Sequence, residues 1–201
     1  MSIRAVIWDL GGVIVRTEDR APRDALAERL GVTRGYLSGL VFGQDGDYRA
    51  QLGQIQAEEQ WGNAARKLGI PPEEMPAFIK QFFAGDSLDS KLVDYIRGLK
   101  RNYTTALLSN ALSDLRELVT QVWRIEDAFH HVVISAEVGL MKPDAAIYEL
   151  ALEKIGCAPQ EALFVDDVEE NVLAAQEVGM QAIRFQGREE TIEEVEGLLK
   201  E

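Results

Sequence analysis

Four stretches of this 201-residue chain set polar side chains directly beside apolar runs. Asp9 ends the run that begins at Ile3, and Ser109-Asn110 end Thr104 to Leu108. Lys142 stands before Pro143, and Asp166-Asp167 follow Ala162 to Val165. If these ends meet in space, the carboxylates repel one another unless a cation lies between them. Aspartates giving one oxygen each, together with a main-chain carbonyl, are ordinary ligands for Mg²⁺, which keeps several waters besides. Lys142 supplies a fixed positive charge for an anionic group. The Ser109 hydroxyl and the amides after it can donate to phosphate oxygens.

The elements around these residues must bring them together. Ile3 to Trp8 is short, near-continuous in apolar residues and partly β-branched, the pattern of a strand buried on both faces. Such a strand delivers its last side chain, here Asp9, into the crevice at the carboxyl edge of a parallel sheet. Gly11 and Gly12 then permit a tight turn. From Ser87 onward helix and strand alternate. Helices are expected over Ser87–Leu99, Ser113–Trp123, Asp144–Ile155 and Glu169–Val178, and strands over Thr104–Leu108, Val132–Ile134, Ala162–Val165 and Gln181–Phe185. That alternation implies an α/β fold, a Rossmann-like parallel sheet with helices on both faces.

Between the first strand and this alternating part the pattern is helical throughout. Helices are expected over Thr17–Leu30 with Thr17 as N-cap, Thr33–Val41, Asp47–Leu52, Ala57–Leu68, and from Pro71 to Phe83. Residues 16–87 are therefore read as an inserted all-helical cap, and 1–15 with 88–201 as the α/β core.

Composition narrows the partners. Asp and Glu number 34 against 21 Lys and Arg, a net charge of −13. An acidic surface repels phosphate backbones, so nucleic acid and anionic membranes are poor partners. A small anionic substrate needs a local positive site. Cys157 is the single cysteine and cannot pair within the chain, which favours a reducing compartment. No apolar run is long enough to cross a bilayer and the start lacks a signal-peptide pattern, so a cytoplasmic location is expected.

The four segments, in this order, resemble the motifs of the haloacid dehalogenase (HAD) superfamily. The first is Val6 to Val13, the second Leu107-Leu108-Ser109-Asn110. The third is Gly139-Leu140-Met141-Lys142-Pro143-Asp144, and the fourth Phe164-Val165-Asp166-Asp167 with Asn171 following. The resemblance implies that Asp9 is a nucleophile forming an aspartyl phosphate that water hydrolyses. It implies Mg²⁺ held by Asp9, the main-chain carbonyl of Gly11 and Asp166, with Asp167 as a ligand or just behind one. Lys142 and the metal would neutralise the transferring phosphoryl group, and Ser109 and Asn110 would orient its oxygens. Arg16 and Thr17, just outside the first motif, are candidates for substrate contact. The substrate would be a small phosphorylated metabolite, sugar phosphates among the candidates.

One residue departs from the family pattern. Most phosphatases of the family carry a second aspartate two residues after the nucleophile as general acid and base; here that position is Gly11. Losing a general acid costs ~10²–10⁴ in rate, most for leaving groups of high pKa. The first motif, Asp-Leu-Gly-Gly, nonetheless resembles a subgroup that includes sugar-phosphate phosphatases. The alternative is a weak or inactive phosphate- or partner-binding relative. Dehalogenation is disfavoured, because that branch places a tyrosine at the Gly11 position and works without metal.

Structural readings stand beside the chemical ones. Lys142 could flank a proline helix start, Asp166-Asp167 could cap the next helix, and Asn171 could do no more than bond within its loop. His130 and His131 are read as surface or packing residues, and Glu189 to Glu201 as a solvated helix face.

Overall fold

The computed structural model describes residues 2–43 and 48–200. The chain opens with β1 (Ala5–Trp8) and turns into a short ribbon strand, β2 (Val15–Thr17). Four helices follow: α1 (Ala21–Arg29), α2 (Arg34–Phe42), α3 (Ala57–Lys67) and α4 (Met75–Phe82). The chain returns through β3 (Asp86–Leu88), which pairs antiparallel with β2. Beyond α5 (Ser90–Leu99) come β4 (Thr104–Ser109), α6 (Leu115–Glu117), β5 (His131–Ile134) and α7 (Ser135–Val138). Then follow α8 (Ala145–Ile155), β6 (Ala162–Asp166), α9 (Glu169–Glu177), β7 (Gln181–Arg184) and α10 (Arg188–Leu198).

Five strands form one parallel sheet in the order β5-β4-β1-β6-β7. The inner strands β1 and β6 are almost fully apolar and buried throughout because both faces are covered. Val6, Trp8, Leu107 and Val165 share one buried cluster with Leu92, Ile96 and Val119. Ile7, Leu108 and Phe164 share another with Ile147, Tyr148 and Ala175. Helices thus cover both sides, as an α/β doubly layered fold requires.

The insert has its own core. Leu26, Leu37, Leu40, Trp61, Phe78 and Phe82 are buried together. Trp61 meets Phe78, Phe82 and Phe83 edge-on, with centroids 5.5–5.8 Å apart. Edge contacts of this kind add about 0.5–1.5 kcal/mol each beyond the burial itself.

Several local expectations are corrected. Thr17 does not cap α1. It lies in β2, opposite Asp86, and α1 starts at Ala21. Likewise Ser87 is a strand residue, and α5 starts at Ser90 behind Asp89, which caps it by accepting from the Leu92 amide at 3.0 Å. The helical insert is therefore entered and left through a two-stranded ribbon. Of the helix expected over Asp47–Leu52, Asp47 lies outside the described residues, and 49–53 form turns. The helix expected over Ser113–Trp123 is a single turn, α6, running into a wide π-type turn at Leu118–Val122. In the C-terminal stretch, Glu201 lies outside the described residues, and α10 buries Thr191 and Val195.

Candidate active site

β1 is the central strand, so its carboxyl end has a neighbour on each side. Register pairs Trp8 with Val165, which sets Asp9 level with Asp166 at the end of β6. Both aspartates lie two residues beyond members of the same buried cluster, Ile7 and Phe164. Side chains alternate along a strand, so Asp9 and Asp166 lean to the same side of the sheet. That shared parity is why residues so far apart in the chain meet.

Lys142 lies between them. Its Nζ donates to Asp9 Oδ1 at 2.5 Å and to Asp166 Oδ2 at 2.6 Å. All three side chains are sealed, with 2% exposure for Lys142, 8% for Asp9 and none for Asp166. The segment that carries Lys142 is held by Asn110. The Asn110 amide donates to the Lys142 carbonyl at 2.8 Å, and the Lys142 amide donates back to Asn110 Oδ1 at 2.8 Å. Asn171 donates to both oxygens of Asp166 at 3.1 Å, and the Val168 amide donates to Asp166 Oδ1 at 2.8 Å. Tyr148 OH in turn donates to the Asn171 carbonyl at 2.9 Å.

Asp167 completes the cluster. Asp9, Asp166 and Asp167 each offer an oxygen within 4.8 Å of the others. Oδ1 of Asp167 is buried and makes no hydrogen bond. A buried carboxylate oxygen with no donor is costly, and a cation is the partner its chemistry fits. The Gly12 backbone explains how Asp167 gets so close. Gly12 has φ +85°, and a Cβ there would lie 2.2–2.6 Å from the Asp167 carboxylate. The turn itself is closed by the amides of Ile14 and Val15, both donating to the Leu10 carbonyl at 2.8 Å. Gly11 is different: it faces open space and its φ is not in the left-handed region.

One ammonium faces three carboxylates. Burial pushes the Asp9 pKa up to about 7, with Asp166 and Asp167 adding repulsion and Lys142 opposing it. Asp167 is raised by burial and by Asp166. For Lys142 burial works against the charge, but attraction to Asp9 and Asp166 outweighs it and holds the proton more tightly than usual. The cluster is short of positive charge, which is the electrostatic condition for a divalent cation.

Ser109 is buried at the end of β4, one residue past the level of Asp9. Arg16 and Thr17 are engaged elsewhere. Arg16 donates to Asp89 Oδ2 at 2.8 Å and to the Val13 carbonyl at 2.7 Å, and Thr17 donates to Asp86 Oδ1 at 2.6 Å. None of these bonds reaches the carboxylate cluster. Two hollows, of about 370 Å³ near Arg4 and Cys157 and about 590 Å³ near Arg16 and Arg188, lie away from Asp9. Sequence reading passed over Asp89, whose carboxylate also takes Arg188 Nη1 at 2.9 Å. It also passed over Ser135, buried at the start of α7, whose hydroxyl accepts from the Ala111 amide at 2.9 Å. The Ser135 bond to Ala111 and the Arg16 and Arg188 bonds to Asp89 join residues far apart in the chain, which spacing does not flag.

The family model for haloacid dehalogenase-like hydrolases matches residues 3–179. The chain belongs to that family. It is 27% identical over 184 residues to the sesquiterpene phosphatase AstK of Aspergillus oryzae, covering 89% of this chain and 88% of that protein. It is 25% identical over 193 residues to the D-ribitol-5-phosphate phosphatase of Bacteroides thetaiotaomicron, covering 90% and 91%. It spans only 39% of the length of the bifunctional epoxide hydrolase 2 of Sus scrofa, at 27% identity. The fold matches a HAD family enzyme of Bacteroides thetaiotaomicron solved with magnesium and inorganic phosphate, with TM-score 0.73, 24% identity and coverage of 90% and 93%. The parallel sheet with helices on both faces is thus the HAD fold. No described helix is long and apolar enough to cross a membrane.

Proposed function

We propose that this HAD hydrolase is a Mg²⁺-dependent phosphatase of a small phosphorylated metabolite, with sugar phosphates the favoured class. The observation that carries this reading is Lys142 Nζ within 2.6 Å of both Asp9 and Asp166, beside an Asp167 oxygen that has no donor. Two relatives over nearly the whole chain are named as phosphatases, one of a sugar-alcohol phosphate, and the matched fold was solved with magnesium and phosphate.

In this reading Asp9, Asp166, Asp167 and the Gly11 carbonyl hold the metal, which when bound offsets phosphoryl negative charge. An Asp9 carboxylate oxygen attacks phosphorus, a bond from phosphorus to Asp9 forms, and the bond to the ester oxygen breaks. The departing oxygen takes a proton from water. A second water then attacks phosphorus and gives a proton to the hydroxide left by the first step, while the bond from phosphorus to Asp9 breaks, releasing inorganic phosphate and restoring the Asp9 carboxylate. Lys142 holds its charge against the oxygens through both steps, Asn110 fixes the backbone that carries it, and Ser109 orients the phosphoryl group. Residues 16–87 act as the cap and 1–15 with 88–201 as the core. Arg16 and Thr17 act at the ribbon, aligning the cap over the site. The single cysteine and net charge of −13 go with a cytoplasmic protein that does not bind nucleic acid.

The test is a panel of an aryl phosphate, acetyl phosphate, an anomeric sugar phosphate and D-ribitol 5-phosphate, with Mg²⁺ and with EDTA. Metal-dependent turnover that Asp9→Asn abolishes supports the reading. Gly11 favours a second reading, a phosphate-binding relative without turnover. Phosphate binding by the wild type, with no turnover on any ester, would select it.

A further inference from the structure

Residues 110–113 leave the carboxyl end of β4 and run between the core and the helical insert. Each of the four makes a different tie. Asn110 holds the backbone of Lys142 through two bonds of 2.8 Å. The Ala111 amide donates to Ser135 Oγ at 2.9 Å, anchoring the segment to the start of α7. Leu112, 7% exposed, belongs to the insert's buried cluster with Trp61, Phe78 and Phe82, although it follows a core strand. Ser113 Oγ accepts from the Ala57 amide at 3.0 Å.

The last contact satisfies a need of α3. The first amides of a helix have no partner within it, and a side chain at the N-cap usually supplies one. At α3 the N-cap is Gln56, whose side chain makes no capping bond. The core residue Ser113 takes that place for Ala57. Nearby, Gly53 of the insert packs so closely on the Ala136 carbonyl that a Cβ would lie 2.0 Å from its oxygen. The insert is therefore seated on the core at α3 and at the 53 turn. If it moves away, the Ala57 amide loses its acceptor and Leu112 leaves an apolar cluster. Leu112 and Ser113 thus feel the insert, while Asn110, two residues earlier, feels Lys142.

We propose that Ser113 is a positioning residue. Its hydroxyl latches the first turn of α3 onto the core segment that follows β4 and so holds the cap seated over the site. For turnover this rests on the phosphatase reading above; the latch itself does not. A substrate whose leaving group reaches the cap gains from closure, whereas acetyl phosphate, with little beyond the phosphoryl group, does not.

The experiment pairs amide hydrogen exchange with kinetics on wild type, Ser113→Ala and Ser113→Thr. In Ser113→Ala, exchange of the 56–60 segment is expected to quicken roughly five-fold, the equilibrium equivalent of one ordinary hydrogen bond. Thr, which keeps the hydroxyl, is expected to restore it. KM for D-ribitol 5-phosphate should rise roughly five-fold by the same equivalence, with kcat for acetyl phosphate unchanged. Unchanged exchange at 56–60 in Ser113→Ala overturns the latch, as does an equal loss on both substrates that Thr fails to rescue. If none of the three proteins turns over either substrate, the phosphatase reading fails, and the exchange measurement still decides the latch.

Discussion

Lys142 Nζ lies 2.5 Å from Asp9 Oδ1 in a space closed to solvent, so an ammonium is the immediate neighbour of the carboxylate at the end of the central strand. Breaking a buried pair by removing one partner costs about 3–5 kcal/mol, because the other charge stays buried without compensation. Lys142→Met leaves Asp9 and Asp166 facing each other, and we expect a loss of that order in urea-derived stability. Millimolar Mg²⁺ should return part of it. In turnover, loss of this charge should lower kcat by ~10²–10³, the cost typical of deleting one preorganised charge-stabilising donor. Turnover unaffected by Lys142→Met would remove Lys142 from the chemistry.

Metal-free stability should fall as pH rises from about 4 to about 7. Asp9 is raised from its ordinary 3.8 to about 7, so between those values the folded protein holds a proton that the unfolded chain has lost. The contribution of this group is fully present below the unfolded pKa and gone once pH passes the folded one. Mg²⁺ needs the ionised carboxylate, so its affinity should climb over the same window and release a proton on binding. Melting curves at several pH values, with EDTA and with Mg²⁺, check both. The EDTA slope should flatten in Asp9→Asn, leaving the smaller part due to Asp167.

Adjacent glycines should respond in opposite ways. At Gly12 a Cβ would collide with the Asp167 carboxylate, and φ +85° disfavours any L side chain. Gly12→Ala should weaken Mg²⁺ binding by displacing Asp167, measurable as a smaller Mg²⁺-induced rise in Tm. Gly11 has open space and no left-handed φ, so Gly11→Asp should fold normally. It restores the missing acid, and turnover of D-ribitol 5-phosphate should rise relative to an aryl phosphate, with ~10²–10⁴ as the ceiling. Equal wild-type efficiency on alkyl and aryl esters would show that Gly11 carries no such penalty.

Asp89 should be a stability residue. Its carboxylate accepts from Arg16 at 2.8 Å, with both oxygens from Arg188 Nη1 at 2.9 Å, and from the Leu92 amide at 3.0 Å. Burial raises its pKa, but these donors outweigh burial and hold it below the ordinary carboxylate value. Its contribution is therefore present above pH ~4 and lost as pH falls through the lowered pKa. Asp89→Ala removes an N-cap and an acceptor that two guanidiniums share. We expect about 2–4 kcal/mol of destabilisation by chemical denaturation, given the partial exposure of both arginines.

The amino-acid sequence by itself determined the five strands of the parallel sheet, because the central ones are short apolar runs that stop at a polar residue. It also set the order of those strands among helices, hence the α/β class, and the charge balance that argues against nucleic acid. Elements without a period were not legible. β2 and β3 are three residues each, too short to alternate, so Thr17 and Ser87 were read as helix starts. Ser113 looks like an ordinary polar residue, and Asp89 like a plain helix cap, until Ala57 and the two arginines arrive from elsewhere in the chain. Only the tertiary structure decided that Asp9 and Asp166 share one side of the sheet with Lys142 between them, that Gly12 must be bare for Asp167, and that Arg16 faces Asp89. Those facts depend on strand register and on chain segments folding back through space, which local composition does not encode.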